Sequence, residues 1–391
     1  FHNYMDFDDL KDYVEISYEM TQDGLTVEKG KLPALSAPPH SEAGVELKLQ
    51  IPAYGRVFLK LKYHLKKKLP LLETGHELGF DEIRLANADG RNAQAVSWLE
   101  KESGSASITV REEDWQITLQ AKDFLYTLDK RTGLFTQLQF TGREYLDHPM
   151  ELNIWRAPTD NDRYQKEEWK KARYDKAYPR AYQIEVIQDQ HGVLVRAHLS
   201  VVADAVQKIL DVELTWKING RGKIAAMISA VKDDEFPDLP RFGVRLFLDR
   251  KLEDVSFYGM GPQESYRDKH QASSHGRYHF KVGQMHEDYI RPQENGSHYD
   301  CDYVEVANSQ FGIVAVSAQT FSFNASFYTQ EELERAAHNY ELEESGSTVL
   351  CLDYAQNGIG SNSCGPAVLD QYRFDETAFR FQFELVPFVK E

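Results

Sequence analysis

The chain has 391 residues, of which 41% are hydrophobic and 27% are charged. At roughly 150 residues per domain, this length predicts two or three globular domains. It contains no run of about 18 apolar residues, so the sequence gives no membrane span. The 62 acidic and 45 basic side chains leave a net charge of -17, which would repel a phosphate backbone and argues against nucleic-acid binding.

The cysteines predict the cellular compartment, and the first residues predict that the chain is part of a longer protein. Cys301, Cys351 and Cys364 are too few and too widely spaced for a disulfide framework or a zinc site, which favours a reducing, cytoplasmic compartment. The histidines form no zinc-binding pair on a predicted helix. The chain begins Phe-His-Asn without an initiator methionine, so we expect it to be part of a longer protein.

Alternation of apolar and polar residues, the pattern of strands, dominates the first 88 residues. It occurs at residues 14–20, 45–51, 57–65 and 83–85, and Asp-Gly at residues 23–24 marks a hairpin turn. About seven short strands fit this length, which is typical of an immunoglobulin-like sandwich. We therefore predict an immunoglobulin-like β-sandwich over residues 1–88.

Residues 89–103 are poorer in apolar side chains and richer in Asn, Gly, Ser and Ala, which predicts a linker. Strand patterns then continue from residue 104 to residue 391 with one or two helices, so two large stacked sheets are expected. Because strands and helices do not alternate, a Rossmann sheet or a complete (β/α)₈ barrel is excluded.

Two helices are predicted in this second region. The first covers residues 163–178, with Asp162 as its N-cap and Gln165 completing a capping box. The second covers residues 331–339 and opens with Thr329. Its buried side is predicted to consist of Leu333, Ala336 and Ala337.

Residues 155–162, with the sequence WRAPTDND, form the densest cluster of unusual side chains. Asp160, Asn161 and Asp162 could ligate a cation or bind sugar hydroxyls, with Trp155 as a stacking surface. The alternative, which we favour, is a proline-initiated turn whose side chains cap the following helix.

Two further loops are crowded with hydrogen-bonding residues. They contain Glu264 and Glu294, a candidate carboxylate pair of the kind glycoside hydrolysis needs, and Asn295. The sequence does not bring the two glutamates together, and surface or packing roles are favoured.

A fourth loop, residues 354–366, contains Gly358, Gly360 and Gly365, and loops with such backbone freedom often line sites. Its Cys364 has no partner base in the sequence, so an inert thiol is favoured over a nucleophile.

Four motifs in fixed order carry a family resemblance: WRAPTDND at 155–162, GPQESYRD at 261–268, YIRPQENG at 289–296 and GIGSNSCGP at 358–366. Together they resemble the C-terminal domain of bacterial β-galactosidases of glycoside hydrolase family 2. GHELGFDEIRLA at residues 75–86 resembles the end of the sandwich domain that precedes it in these enzymes. The resemblance extends over essentially the whole chain.

The resemblance implies a galactose-mutarotase-like β-supersandwich over residues 104–391. It also implies a non-catalytic C-terminal fragment of a retaining enzyme that hydrolyses terminal β-D-galactose, as in lactose. The catalytic glutamates belong to a barrel outside this chain, so no catalytic residue and no cofactor is expected here, and the fragment alone should be inactive. The family's Mg²⁺ and Na⁺ belong to that barrel. The expected partners are the missing N-terminal domains, the barrel, the galactoside and, in the intact enzyme, further copies of the chain.

In the family, one loop of this domain reaches the rim of the galactose site. The matching residues here are Asn362, Ser363, Cys364 and Gly365. Some relatives carry a sugar-stacking Trp at the position of Cys364, so a smaller pocket wall is expected here.

Two other functions remain open. The 21 Tyr, 21 Phe and 5 Trp could serve a stand-alone carbohydrate-binding module. A mutarotase-like aldose epimerase would instead need a histidine and a carboxylate on a concave sheet face, for which His270, His275 and His279 are available.

Overall fold

A computed structural model describes residues 1–100, 107–206, 208–360 and 363–390, and it confirms the all-β prediction. The strands are β1 (Val14–Gln22), β2 (Leu25–Lys31), β3 (Val57–Leu65), β4 (Glu77–Arg84), β5 (Thr109–Glu112), β6 (Gln116–Gln120), β7 (Phe124–Asp129), β8 (Leu134–Phe140), β9 (Arg143–Glu144), β10 (Leu146–Asn153), β11 (Tyr178–Asp189), β12 (Gly192–Val202), β13 (Leu210–Ile218), β14 (Ile224–Lys232), β15 (Arg241–Leu248), β16 (Asp254–Gly261), β17 (Ser274–Lys281), β18 (Ser297–Ala307), β19 (Phe311–Ser326), β20 (Thr348–Gln356) and β21 (Ala378–Val389). The helices are α1 (Leu10–Tyr13), α2 (Ala93–Leu99), α3 (Gln165–Lys171) and α4 (Gln330–Arg335).

The chain divides into two compact units. The first comprises Phe1–Val96 with His275–Arg277, and the second comprises Ser97–Ser274 with Tyr278–Glu391. The predicted linker, residues 89–103, is partly helical, because Asn92 Oδ1 accepts a hydrogen bond from Ala95 N at 3.0 Å and so starts α2. Residues 101–103 lie outside the described residues.

The first unit contains one antiparallel sheet in the order β2-β1-β3-β4, so it has four strands where about seven were predicted. Residues 45–51 are fully described but form no strand. Two of their apolar side chains, Val45 and Leu47, are partly buried and pack against the core around Val14 and Ile16, whereas Ile51 is 44% exposed. The alternation therefore predicted the burial of Val45 and Leu47 correctly, and the predicted strand is wrong.

The second unit contains a twelve-stranded and a five-stranded sheet. The main path of the larger sheet runs β10-β15-β20-β19-β21-β14-β13-β12-β11, with β18, β16 and β17 branching from β19, and the smaller sheet runs β5-β6-β7-β8-β9. One hydrophobic core includes buried residues of both sheets. Phe135 of β8 contacts Trp216 of β13 with ring centroids 4.9 Å apart, and Trp216 Nε1 donates to Gly133 O at 2.8 Å.

The first predicted helix is shorter than expected. Instead of residues 163–178, α3 spans Gln165–Lys171, with 3₁₀ turns at Asp160–Asp162 and Tyr174–Lys176. Arg173 interrupts the helix with a φ of 62°, a left-handed conformation that an α-helix cannot continue through.

The second predicted helix begins as expected and ends early. Thr329 Oγ1 accepts a hydrogen bond from Glu332 N at 3.1 Å and caps α4. Leu333 and Ala336 are buried, but Ala337 is exposed because the chain is already extended at Ala336. Of the helices within the described ranges, none has the length and apolar character needed to cross a membrane.

Candidate functional site

Four loops of the second unit are joined by buried hydrogen bonds. Loop A (residues 155–162) follows β10, loop B (261–268) follows β16, loop C (289–296) precedes β18, and loop D (357–366) follows β20. These are the loops that carry the four sequence motifs. Within loop D, residues 361 and 362 lie outside the described residues.

Arg241 is central to the buried hydrogen bonds that join these loops to the sheet. It is the first residue of the wholly buried strand β15. Its guanidinium donates from Nη1 to Glu294 Oε1 at 2.8 Å, from Nη2 to Asn324 Oδ1 at 2.9 Å, and from Nε to Asp353 Oδ1 at 3.0 Å. Burial raises the pKa of both carboxyl groups. A buried guanidinium is tolerated only with such partners, so Arg241 fixes loop C to β19 and β20.

Arg156 connects loop A to loop D. Its side chain is fully buried and donates to Asp162 from Nη2 at 2.6 Å and from Nε at 3.2 Å. It also donates to two loop D carbonyls, Asn357 O through Nη1 and Gly358 O through Nη2 at 3.2 Å. The guanidinium lies 5.1 Å from the Trp169 ring centroid.

Asp162 has a different role from the predicted one. Besides Arg156, it accepts hydrogen bonds from Thr159 N at 2.8 Å and Thr159 Oγ1 at 3.1 Å. The predicted cap of a helix from residue 163 is therefore wrong, because the carboxylate is occupied within loop A. Asp162 is instead the counter-charge of a buried arginine.

Asp268 of loop B holds the start of loop D from the other side. It accepts from Gly360 N at 2.7 Å and from Ile359 N at 3.0 Å, and Asn161 Nδ2 donates to Ile359 O at 2.6 Å. A Cβ at Gly358 would lie 2.7 Å from Asp268 Oδ2, so the close approach requires glycine there.

The two candidate glutamates are bound to different partners. Glu264, 9% exposed, accepts from Gly296 N at 2.9 Å and also binds the Lys269 ammonium and the Tyr289 hydroxyl. Glu294 binds Arg241 and accepts from Ala157 N at 3.2 Å. Each carboxylate has its own partners, which supports the packing role over the catalytic one.

Asn295 has a local role within loop C. Its Oδ1 accepts from Glu287 N at 3.0 Å, and its Nδ2 donates to Gln293 O at 2.9 Å. Both polar atoms of the side chain are therefore used to shape the loop.

Trp155 is buried, which agrees with the structural role favoured for this loop. It is 4% exposed, packs edge-on against Trp169 at 6.3 Å, and donates from Nε1 to Glu334 Oε2 at 3.2 Å. Asp160, by contrast, is exposed and its backbone N donates to Gln293 Oε1 at 3.1 Å.

The predicted rim residues lie at the outer part of loop D. Cys364 and Gly365 are exposed, Ser363 is half-buried, and Asn362 lies outside the described residues. Ser363 lines an open cavity of about 470 Å³ together with residues of loops A and C, among them Asp160 and Arg291. Within the described part of the chain, no three His, Cys, Asp or Glu side chains form a group that could hold a metal ion.

Sequence reasoning missed the charged residues that hold the loops. Arg241 and Asp353 lie in strands of otherwise mostly apolar sequence, and Arg156 and Asp268 lie inside the motifs without having been singled out. An isolated charge in an apolar strand is a usable signal, because a buried charge needs a partner of opposite sign.

Two known protein families match this chain. Residues 120–385 match the family described as "Beta galactosidase small chain", and residues 1–86 match "Beta-galactosidase, domain 4". The chain therefore belongs to the beta-galactosidase small chain family. This confirms the resemblance found in the sequence motifs.

The relatives are much longer proteins. The chain is 41% identical over 387 residues to a beta-galactosidase of Actinobacillus pleuropneumoniae and 30% identical over 386 residues to one of Staphylococcus xylosus. Each match covers 98% of this chain but only 37% and 38% of the respective relative.

Among solved structures, a galactose mutarotase related enzyme of Lactobacillus acidophilus aligns with a TM-score of 0.37 at 7% identity, over 73% of this chain and 100% of that one. An aldose epimerase homologue of C. elegans gives 0.39 at 8% identity, over 73% of this chain and 99% of that one.

Proposed function

We propose that this chain is the non-catalytic C-terminal part of a retaining β-galactosidase that hydrolyses terminal β-D-galactose. The observation that carries the proposal is the match of nearly the whole chain to little more than a third of each relative. Glu264 and Glu294, the carboxylates considered for catalysis, are each bound to a cation, Lys269 and Arg241 respectively, which favours packing roles for both. The reacting carboxylates would belong to the part of the enzyme outside this chain.

Within that enzyme, the role of this chain is to hold loop D at the rim of the galactoside site. Its base is fixed from two sides, by Arg156 through two carbonyls and by Asp268 through two amides. Its outer residues Ser363, Cys364 and Gly365 are left accessible to a substrate or a neighbouring domain. Cys364 acts there as a wall residue and not as a nucleophile.

The same proposal includes the metal ions, the partners and the compartment expected from the family resemblance. The metal ions of the family, Mg²⁺ and Na⁺, would be bound outside this chain. The missing domains, the galactoside and further copies of the enzyme would be its partners, in the cytoplasm.

An epimerase is less well supported. Such an enzyme needs a histidine beside a carboxylate where the sugar binds. Of the three candidate histidines, His275 has a carboxylate beside it, because its Nδ1 lies 2.6 Å from Glu82 Oε1, but both residues belong to the first unit and the His275 ring is stacked on Phe58. His270 Nδ1 lies 2.9 Å from Tyr266 O, and His279 is exposed with Asp254 Oδ1 3.7 Å away. The cavity of about 190 Å³ on the second unit is lined by thirteen described residues without a histidine.

The proposal is tested by supplying the missing part. The purified chain should not hydrolyse a chromogenic β-galactoside above background. A chimera in which it replaces the matching 387 residues of the Actinobacillus pleuropneumoniae relative should hydrolyse it. Turnover by the chain alone, or a folded chimera without turnover, would overturn the proposal.

A further inference from the structure

The second unit contains a cavity of about 190 Å³ whose walls combine aromatic rings with hydrogen-bonding groups. The lining residues that matter for its chemistry are Arg267, Tyr299, Thr320, Tyr354, Gln356 and Glu376. Thr320 and Glu376 are exposed and so mark its mouth, whereas Gln356 is 5% exposed.

Gln356 and Arg267 bring polar groups to the wall of the cavity. The Gln356 amide nitrogen donates to Ser297 Oγ at 3.2 Å and to Asp353 Oδ2 at 3.3 Å, which fixes the orientation of the amide because a carboxylate needs a donor. Its Oε1 has no partner in the described part of the chain, but this atom is buried and is not open to a ligand in the cavity. Arg267 uses one nitrogen, Nη1, to donate to Arg373 O at 3.0 Å and forms no ion pair with any described residue.

The aromatic walls are held in place. The Tyr354 ring is stacked on Phe379 with centroids 5.2 Å apart, and its hydroxyl donates to Glu376 Oε2 at 2.8 Å. Burial and the Glu376 carboxylate raise the Tyr354 pKa to about 12, so the phenol remains protonated at neutral pH. Tyr299 is stacked on His270 at 5.8 Å.

The charges of the walls restrict the ligand. Arg267 is accompanied by the carboxylates of Asp300 and Glu376, so a phosphate or another anion would meet more negative than positive charge. An apolar ligand would leave the guanidinium and hydroxyl groups unsatisfied. A compound with many hydroxyls and an apolar ring face satisfies both the polar groups and the tyrosine rings. The volume is below the range of about 300–1,000 Å³ for drug-sized ligands, which limits the ligand to about one ring.

We propose that this cavity is a binding site for a single neutral pyranose ring, recognised by Arg267 and by the Tyr354 ring. The proposal concerns the chain by itself and does not rest on its role in a β-galactosidase. The two are therefore separable, because an inactive chimera would leave sugar binding by the chain unaffected.

The test is titration calorimetry on the full 391-residue chain with D-galactose, D-glucose and inorganic phosphate as probes. We expect saturable binding of at least one sugar at one site and none of phosphate. Arg267→Met should weaken that binding at least tenfold. Arg163→Met, a change to an exposed arginine outside the cavity, should leave it unchanged.

A second pair of variants keeps the test decisive if Arg267→Met does not fold. Thr320→Trp places a large ring at the exposed mouth and should abolish sugar binding. Gln319→Trp, at the exposed neighbouring position that does not line the cavity, should not. Absence of sugar binding, binding of phosphate instead, or equal binding by Thr320→Trp and Gln319→Trp would overturn the proposal.

Discussion

Replacing Asp162 with alanine measures how strongly loop A depends on its buried ion pair. Asp162 is 1% exposed and accepts four hydrogen bonds, two from Arg156 and two from Thr159. Asp162→Ala leaves the Arg156 guanidinium buried without its counter-charge, and breaking a buried pair in this way costs about 3–5 kcal/mol. Loss of an ordinary helix cap costs only about 0.5–2 kcal/mol. We therefore expect a fall of about 3–5 kcal/mol in the free energy of unfolding of the second unit.

Urea unfolding followed by tryptophan fluorescence is the assay, because all five tryptophans lie in the second unit. Thr329→Ala is the matched control, since Thr329 is an actual cap, of α4, and its loss should cost about 0.5–2 kcal/mol. If Asp162→Ala destabilises the unit no more than Thr329→Ala does, the ion-pair account of loop A is refuted.

Three further outcomes are expected. Gly358→Ala should speed amide exchange at Gly360, because the new Cβ would lie 2.7 Å from the Asp268 carboxylate that binds this amide. Gly365→Ala is the control and should leave this exchange rate unchanged, because a Cβ at residue 365 would have no atom within 4 Å. Equal exchange rates in the two variants would contradict the prediction. Burial lowers the His298 pKa from 6.5 to about 4, so the unfolded state binds the proton more readily than the folded state does. Acidification from pH 7 to pH 4 should therefore lower the free energy of unfolding by about 3 kcal/mol through this residue. His298→Gln should not show this loss. A thiol reagent should modify one cysteine, the exposed Cys364, in the native chain and three after denaturation; rapid native labelling of more than one would be inconsistent with the structure.

The four motifs in their order predicted the family. That their loops meet was not predicted, although each motif is rich in side chains that bind backbone groups of another loop, as Asn161 binds Ile359 O and Glu264 binds Gly296 N. Each of these residues can be recognised within the sequence of its own loop. Its partner cannot be recognised from the sequence, because the contacts join residues up to about two hundred positions apart.

The errors of sequence reasoning have the same physical origin. Asp162 fits a helix cap locally, but a buried arginine binds it in the folded chain. Residues 45–51 alternate as a strand would, but they form no strand, because alternation alone does not provide a neighbouring strand for the backbone to pair with. The sequence marks Arg241 as a charge in an apolar strand but does not identify its partners, because Glu294 and Asp353 are brought to it by loop C and by the sheet.

The most direct test of the proposed role of loop D is steady-state kinetics of the chimeric β-galactosidase with substitutions at Cys364. As a wall residue at the rim, Cys364→Trp should change KM for the galactoside while kcat stays within a fewfold, and Cys364→Ser should leave both nearly unchanged. An unchanged KM in Cys364→Trp would show that loop D does not reach the substrate. A fall of about a thousandfold in kcat for Cys364→Ser would show that the thiol takes part in the chemistry.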